Sequence, residues 1–202
     1  MKLYTSAASP FARKVRVCLL ELGLADRVEQ VEVGSTPLKQ SPVLTAQNPL
    51  GKIPCLLLAD GTALYDSRVI TRYLDDLAGG SLYPVAPELW DILTLEATAD
   101  GIMDAAVMMV YETRVRPEEL VFATWVESQW VRVTRALDAI EQNNIGQLSG
   151  PLNIAQIAVG SALEYLDFRH ADRDWRAGRP ALADWQAGFA LREAMQATRP
   201  GA

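Results

Sequence analysis

Histidine is almost missing from this chain: His170 is the only one in 202 residues, and cysteine occurs twice, at Cys18 and Cys55. One imidazole and two thiols separated by 37 positions make neither a zinc site of recognised spacing nor a disulfide framework. Both thiols are expected to be reduced and buried, and no metal is expected. The glycines never fall into G-x-G-x-x-G, G-x-x-x-x-G-K or G-x-S-x-G, so dinucleotide binding, P-loop chemistry and the hydrolase elbow have no support. Long apolar runs are absent too. "AAVMMVY", the longest near the middle, is far too short to cross a bilayer. A signal peptide does not fit, because Arg13, Lys14 and Arg16 interrupt the place of an apolar h-region, and the cytoplasm is expected. Nor is there a basic footprint: Lys and Arg number 19 against 25 Asp and Glu, a net charge of −6. That argues against non-specific nucleic-acid binding.

What remains is a chain half apolar in composition, long enough for one large domain or two small ones. Charge divides it. Residues 1–80 hold nine cations and eight anions, and residues 81–202 hold ten and seventeen. "KLYT" reads as a short strand. A helix follows from Pro10, with Phe11, Val15, Cys18, Leu19 and Leu22 on one face, until Gly23 ends it. "RVEQVEV" alternates as a strand does. After a polar loop from Ser35 to Gln47, apolar runs at Cys55–Leu58 and Ala63–Tyr65 flank an Asp-Gly pair, the signature of a hairpin. "DSRVITRYLDDL" is a helix capped by Asp66 or Ser67, with Val69, Ile70, Tyr73, Leu74 and Leu77 inward. Beyond "AGGSLYP" strand signals stop, and helical patterns run over 88–115, 117–142, 153–169 and 180–197. The order is βαβ, then ββα, then all helix: an expected domain over residues 1–78, a linker over 79–87 and a helical domain over 88–202.

The stretch "SPFARKVRV" raises a question of charge. Ser9 is a preferred N-cap and Pro10 suits the first helical position, but Arg13, Lys14 and Arg16 sit at the end where the helix dipole favours anions. The simpler reading is a solvated face. The cap itself, a hydroxyl beside free backbone N–H groups, is a ready anion site.

A βαβ-ββα half with a proline just before its third strand, joined to a helical half, resembles the cytosolic glutathione transferase superfamily, of the serine type and bacterial-like. "SPFARKVRV" is similar to that family's catalytic loop and first helix, "NPLGKIPCL" to its cis-proline loop, and "YDSRVITRYL" to its acidic-Ser motif. "PLNIAQIAVGSAL" resembles its capping-box helix, and "RPALADWQAGF" a late C-terminal helix. The resemblance implies an N-terminal thioredoxin-like α/β domain, an all-α C-terminal bundle, glutathione as cosubstrate and a homodimer. It also implies, as second substrate, a small electrophile or disulfide. Two positions depart from the pattern. Asn153 with Gln156 replaces the usual capping box, a change expected to keep the acceptor and the reciprocal bond. Ser9 stands where redox-active members carry cysteine.

On this resemblance Ser9 stabilises the glutathione thiolate. A free thiol has a pKa of about 8.5, and lowering it by about two units takes roughly 2.7 kcal/mol. A hydrogen bond to a charged group supplies about 1.5 to 3 kcal/mol and a helix N-terminus roughly 0.3 to 2 kcal/mol, so no general base is required. Tyr4 is the rival activator, since other classes use a tyrosine near the end of the first strand. Pro54 would be the cis-proline, turning the Ile53 backbone toward the cysteinyl unit. Asp66 and Ser67 would take the γ-glutamyl ammonium and carboxylate, and Gln40 and Lys52 the glycyl carboxylate. Met108, Met109 and Tyr111 would wall a second-substrate pocket, against the plainer reading of a core face. Two alternatives stay open: a glutathione-dependent disulfide reductase, and a non-catalytic binding or scaffold protein of the same fold.

Overall fold

The computed structural model describes residues 1–200, in two compact units: Met1–Tyr83 together with the chain from Glu193 onward, and Pro84–Arg192. The boundaries expected from sequence therefore shift. Residues 79–83 close the first unit rather than link it to the next, and the last helical residues join the first unit rather than the helical one.

The first unit runs β1 (Lys2–Thr5), α1 (Pro10–Glu21), β2 (Glu29–Glu32), the single turn α2 (Pro42–Thr45), β3 (Cys55–Leu57), β4 (Ala63–Leu64) and α3 (Ser67–Ala78). The sheet order is β2-β1-β3-β4, with β1 parallel to β2 and the other pairs antiparallel. Successive strand residues face opposite sides. Leu3 and Leu56, paired across β1 and β3, are fully buried. Tyr4 and Cys55, the next pair, form a second cluster with Leu44, against which Val31, Val33 and Ile53 pack. Leu44 explains why a loop expected to be polar holds a helical turn: one leucine anchors it in that cluster.

Asp66 is the N-cap of α3, its Oδ1 accepting from Arg68 N–H at 3.0 Å. Val69, expected inward, is 47% exposed, whereas Ile70 and Leu74 are buried. The helix ends at Gly79, whose φ of 60° lies in the left-handed region that glycine adopts without penalty. Asp75 then holds the following chain, its carboxylate accepting from Leu82 and Tyr83 N–H at 3.0 and 3.3 Å.

The second unit consists of α4 (Glu88–Arg114), α5 (Ala123–Asn143), α6 (Ile145–Leu148), α7 (Ile154–Arg169) and α8 (Pro180–Phe189). Every residue of α7 from Ile154 to Leu163 is buried, the pattern of a helix at the centre of a bundle. Its cap departs from expectation. Asn153 Oδ1 accepts from Gln156 N–H at 3.1 Å, but the Gln156 amide, instead of returning the bond, donates to the carbonyls of Gln147, Gly150 and Pro151. A glutamate or aspartate has no donor for those three oxygens, which is the physical reason for an amide there. The helix expected from residue 117 begins at Ala123, because Glu112 reaches out to accept the Phe122 N–H at 3.0 Å and a short 3-10 turn precedes it. At the start of α8 the Glu141 carboxylate accepts from Ala181 and Leu182 N–H. The helix expected over 180–197 breaks at Ala190–Arg192, and a separate helix, α9 (Glu193–Ala197), packs against α1.

His170 is buried at the end of α7, with Nε2 3.0 Å from the Ala106 carbonyl oxygen of α4. Burial is the largest influence on it, and it holds the imidazole below its ordinary pKa. The unfolded chain therefore binds a proton that the native state resists. The neutral ring's contribution is complete above about pH 6.5 and is lost as pH falls below that value. The melting temperature of His170→Gln, followed by calorimetry, is expected to fall less steeply than that of the unsubstituted protein between about pH 7 and pH 5. Parallel curves would mean that the ring titrates as it does in water.

Candidate functional site

Seven of the residues singled out in the sequence, Ser9, Gln40, Lys52, Ile53, Pro54, Asp66 and Ser67, fall in the first unit. Ser9 opens α1 in extended backbone geometry, and its Oγ accepts from Ala12 N–H at 3.2 Å. Capping uses only a lone pair. The hydroxyl proton stays available to a second partner, so a cap and a hydrogen-bond donor are compatible in one residue. Tyr4, the rival, is 6% exposed in the cluster of Leu44 and Cys55. Its ring is a packing element.

The segment before β3 is built by a residue that the sequence reading passed over. Asn48 is buried; its Nδ2 donates to Lys52 O at 2.8 Å and its Oδ1 accepts from Leu50 N–H at 3.0 Å. Gly51 N–H donates to Asn48 O at 2.8 Å, and Ser35 Oγ donates to Gly51 O at 3.0 Å. Gly51 has a φ of +61°, and the Gln40 side chain lies over it closely enough that a Cβ there would press on the amide. The positive φ is what calls for glycine here; the Gln40 amide is the far end of an exposed, flexible side chain. Gln40 and Lys52 are exposed, while Ile53 is half-buried and the Ile53–Pro54 bond is cis. The Asn-Pro dipeptide followed by Gly51 was the available signal for this turn.

Asp66 is exposed and Ser67 buried at the start of α3. Burial is the largest single influence on Asp66 and pushes its pKa up. It is outweighed by the Arg68 side chain and N–H and by the charges of Arg68 and Lys14, so the carboxyl sits below its usual range. The cations of α1 correct the expectation of a solvated face. Lys14 is 0% exposed and Arg13 1%. Only Arg16 keeps partial access to solvent, its Nε donating to Gln30 Oε1 at 3.0 Å.

The remaining candidates lie in the second unit. Met109 is core, Met108 is 50% exposed and Tyr111 is half-buried. Tyr165 of α7, close enough to feel Tyr111, has its pKa pushed up to about 12, chiefly by burial, which outweighs the opposing charge of Arg169. Among the described residues no group of His, Cys, Asp and Glu is placed to hold a metal ion, and no helix is long and apolar enough to cross a membrane.

Comparison with known proteins gives a consistent result. Residues 8–77 match the family model for the glutathione S-transferase N-terminal domain and residues 123–186 that for the C-terminal domain. The chain is 32% identical over 204 residues to the uncharacterized GST-like protein YibF of Escherichia coli K12, covering 99% of this chain and 98% of that one. A glutathione transferase family member from Pseudomonas fluorescens Pf-5, solved with bound glutathione, superposes with a TM-score of 0.97 at 42% identity, covering 100% of this chain and 99% of the other. A second structure from that bacterium, holding S-(propanoic acid)-glutathione, matches at a TM-score of 0.92 and 42% identity over 100% of both chains.

Asn48→Ala would leave the Lys52 carbonyl and the Leu50 N–H without their partner. A loss of about 1 kcal/mol is expected for stranding these partly buried groups, read as a lower midpoint in urea unfolding with an unchanged slope. An unchanged midpoint would show that the turn before Pro54 holds itself.

Proposed function

The chain belongs to the glutathione transferase family, and from that premise we propose that it binds glutathione in its first unit and activates the thiol at Ser9 for attack on a small electrophile. The observation that carries the reading is the Ser9 cap: an Oγ that accepts from Ala12 N–H at 3.2 Å and still has its proton to give to a sulfur anion. That the Pseudomonas fluorescens relatives bind glutathione and S-(propanoic acid)-glutathione supports a site for both the free thiol and its S-alkyl product.

In this mechanism glutathione lies along the segment before β3, its cysteinyl unit pairing with the Ile53 backbone in the manner of an added strand. Asp66, held ionised by its surroundings, takes the γ-glutamyl ammonium. Ser67, at the first turn of α3, offers its N–H and hydroxyl to the adjoining carboxylate. Gln40 and Lys52 take the glycyl carboxylate. The Ser9 hydroxyl donates to the sulfur, and the first turn of α1 adds its partial positive charge, so the proton leaves to water and the thiolate remains. The thiolate then attacks the electrophilic carbon, forming the S–C bond as the leaving group departs or a double bond takes up the electron pair. Met108 and Tyr111 are proposed as contacts for the second substrate. A homodimer in the cytoplasm completes the proposal.

Ser9→Gly separates activation from capping, because glycine at an N-cap costs only a few tenths of a kcal/mol and has no hydroxyl. The variant is expected to melt near the temperature of the parent. The acid limb of its pH-rate profile with an aryl halide should move up by about one to two units, as loss of one charge-assisted hydrogen bond implies. A profile left where it was would reduce Ser9 to a cap and turn attention to Tyr4.

A further inference from the structure

Four arginines of the second unit sit on a carboxylate: Arg116 on Glu112, Arg173 on Glu127, Arg176 on Asp167 and Arg179 on Asp138. Arg114 and Arg169 have no such partner among the described residues. They are the last residues of α4 and α7. The nearest carboxylate along each helix is engaged elsewhere, Glu112 by Arg116 and the Phe122 N–H, Asp167 by Arg176 and the Trp175 indole. What lies beside the two free guanidinium groups is a pair of phenols. Tyr111 precedes Arg114 by three residues and Tyr165 precedes Arg169 by four, spacings that make neighbours on a helix surface. The two helices pack on each other. His170, just past the end of α7, has Nε2 3.0 Å from the Ala106 carbonyl oxygen of α4, and the Tyr165 ring stands edge-on to the His170 ring at 6.4 Å. Tyr111, Arg114 and Arg169 all come close enough to act on the Tyr165 hydroxyl, which burial keeps protonated. Arg169 lies over the Phe168 ring at 3.9 Å. Tyr165 is buried, Tyr111 and Arg169 are half-buried and Arg114 is exposed, so the cluster has an apolar back and an open front.

We infer that Tyr111, Arg114, Tyr165 and Arg169 recognise a carboxylate on the second substrate, which narrows the small electrophile to an organic acid. The inference rests on the proposal that Met108 and Tyr111 contact that substrate; Tyr111, three residues from Met108 on α4, belongs to both groups. The plainer account is the helix dipole, since a cation at a helix C-terminus offsets about half a negative charge there. Two guanidinium groups exceed two such half charges by about one unit, and the dipole gives no reason for phenol hydroxyls beside them. A carboxylate uses all of these groups. It takes two parallel bonds from a guanidinium fork, and a phenol can donate to a lone pair left over. A carboxylic acid is ionised wherever a thiol is, so recognition by charge holds over the whole range in which the thiolate attacks.

The test compares S-(4-carboxybenzyl)glutathione with its carboxamide, and S-carboxymethylglutathione with its carboxamide as a shorter pair. Within a pair the ligands match in size and differ in charge. Affinities are measured by calorimetry on the full-length protein, unsubstituted and as Arg114→Gln, Arg169→Gln and Arg169→Lys. The unsubstituted protein is expected to favour the acid about tenfold or more in at least one pair, as one charge-assisted hydrogen bond implies. Each glutamine variant should cut that ratio about fivefold or more, and Arg169→Lys, which keeps the charge, should retain more of it than Arg169→Gln. If Arg169→Gln fails to fold, the exposed Arg114 decides. Ratios near one in both pairs overturn the inference. So does a preference that neither glutamine variant reduces, whatever happens to the melting temperature, because the arginines then serve the helix dipole alone. Rates of conjugation with 4-(bromomethyl)benzoate and 4-(bromomethyl)benzamide, each divided by its rate without protein, keep the two claims apart. If the acids bind preferentially and neither electrophile is accelerated, the transferase reading fails and the carboxylate site stands. If both are accelerated equally and the ligands bind without preference, only the carboxylate site fails.

Discussion

Much of the first unit follows from how α1 begins. A helix start exposes N–H groups that must find oxygen, and here Ser9 Oγ takes the one on Ala12 while the Ser9 carbonyl receives the one on Arg13. Because Arg13 then turns its guanidinium away from solvent to the last turn of α9, the first turn is held from both ends. The same few residues are those on which sulfur chemistry would depend. A donor hydroxyl is useful to a thiolate only if its position is fixed before the sulfur arrives.

The second support of the site is a loop. Asn48 performs with one side chain what a strand would do with a ladder, taking the Leu50 N–H and the Lys52 carbonyl and so fixing the path of the chain into Ile53 and Pro54. Gly51 beneath Gln40 makes that path possible. Asp66 and Ser67 stand at the opening of α3, where a capping carboxylate is already held ionised by Arg68 and Lys14. Each of these groups has a structural task that fixes its place: Ser9 Oγ caps α1, and Asp66 takes the Arg68 N–H on Oδ1 and the Arg68 guanidinium on Oδ2; in the proposed mechanism the hydroxyl proton of Ser9 is the atom left over.

Elements governed by local pattern were legible in the sequence. The strand alternation, the Asp-Gly hairpin, the Ser-Pro and Asp-Ser helix starts and the buried cysteines are all set by residues within a few positions of one another. Elements set by distant partners were not. Arg13 read as part of a solvated face, because its guanidinium is held by oxygens 182 and 185 residues away. The expected 180–197 helix breaks because its last part packs against α1, far back in the chain. In both cases tertiary contacts overrode a sound local preference, whereas Gln156 leaves its own cap for carbonyls of the loop just before it.

Stabilisation of the glutathione thiolate is the property on which the proposed function turns. The direct measurement is an ultraviolet difference titration of the unsubstituted protein saturated with glutathione, with S-methylglutathione as the blank. A single thiolate transition is expected about two units below the value of roughly 8.5 for a free thiol. A transition at the free-thiol value, with glutathione demonstrably bound, would contradict it.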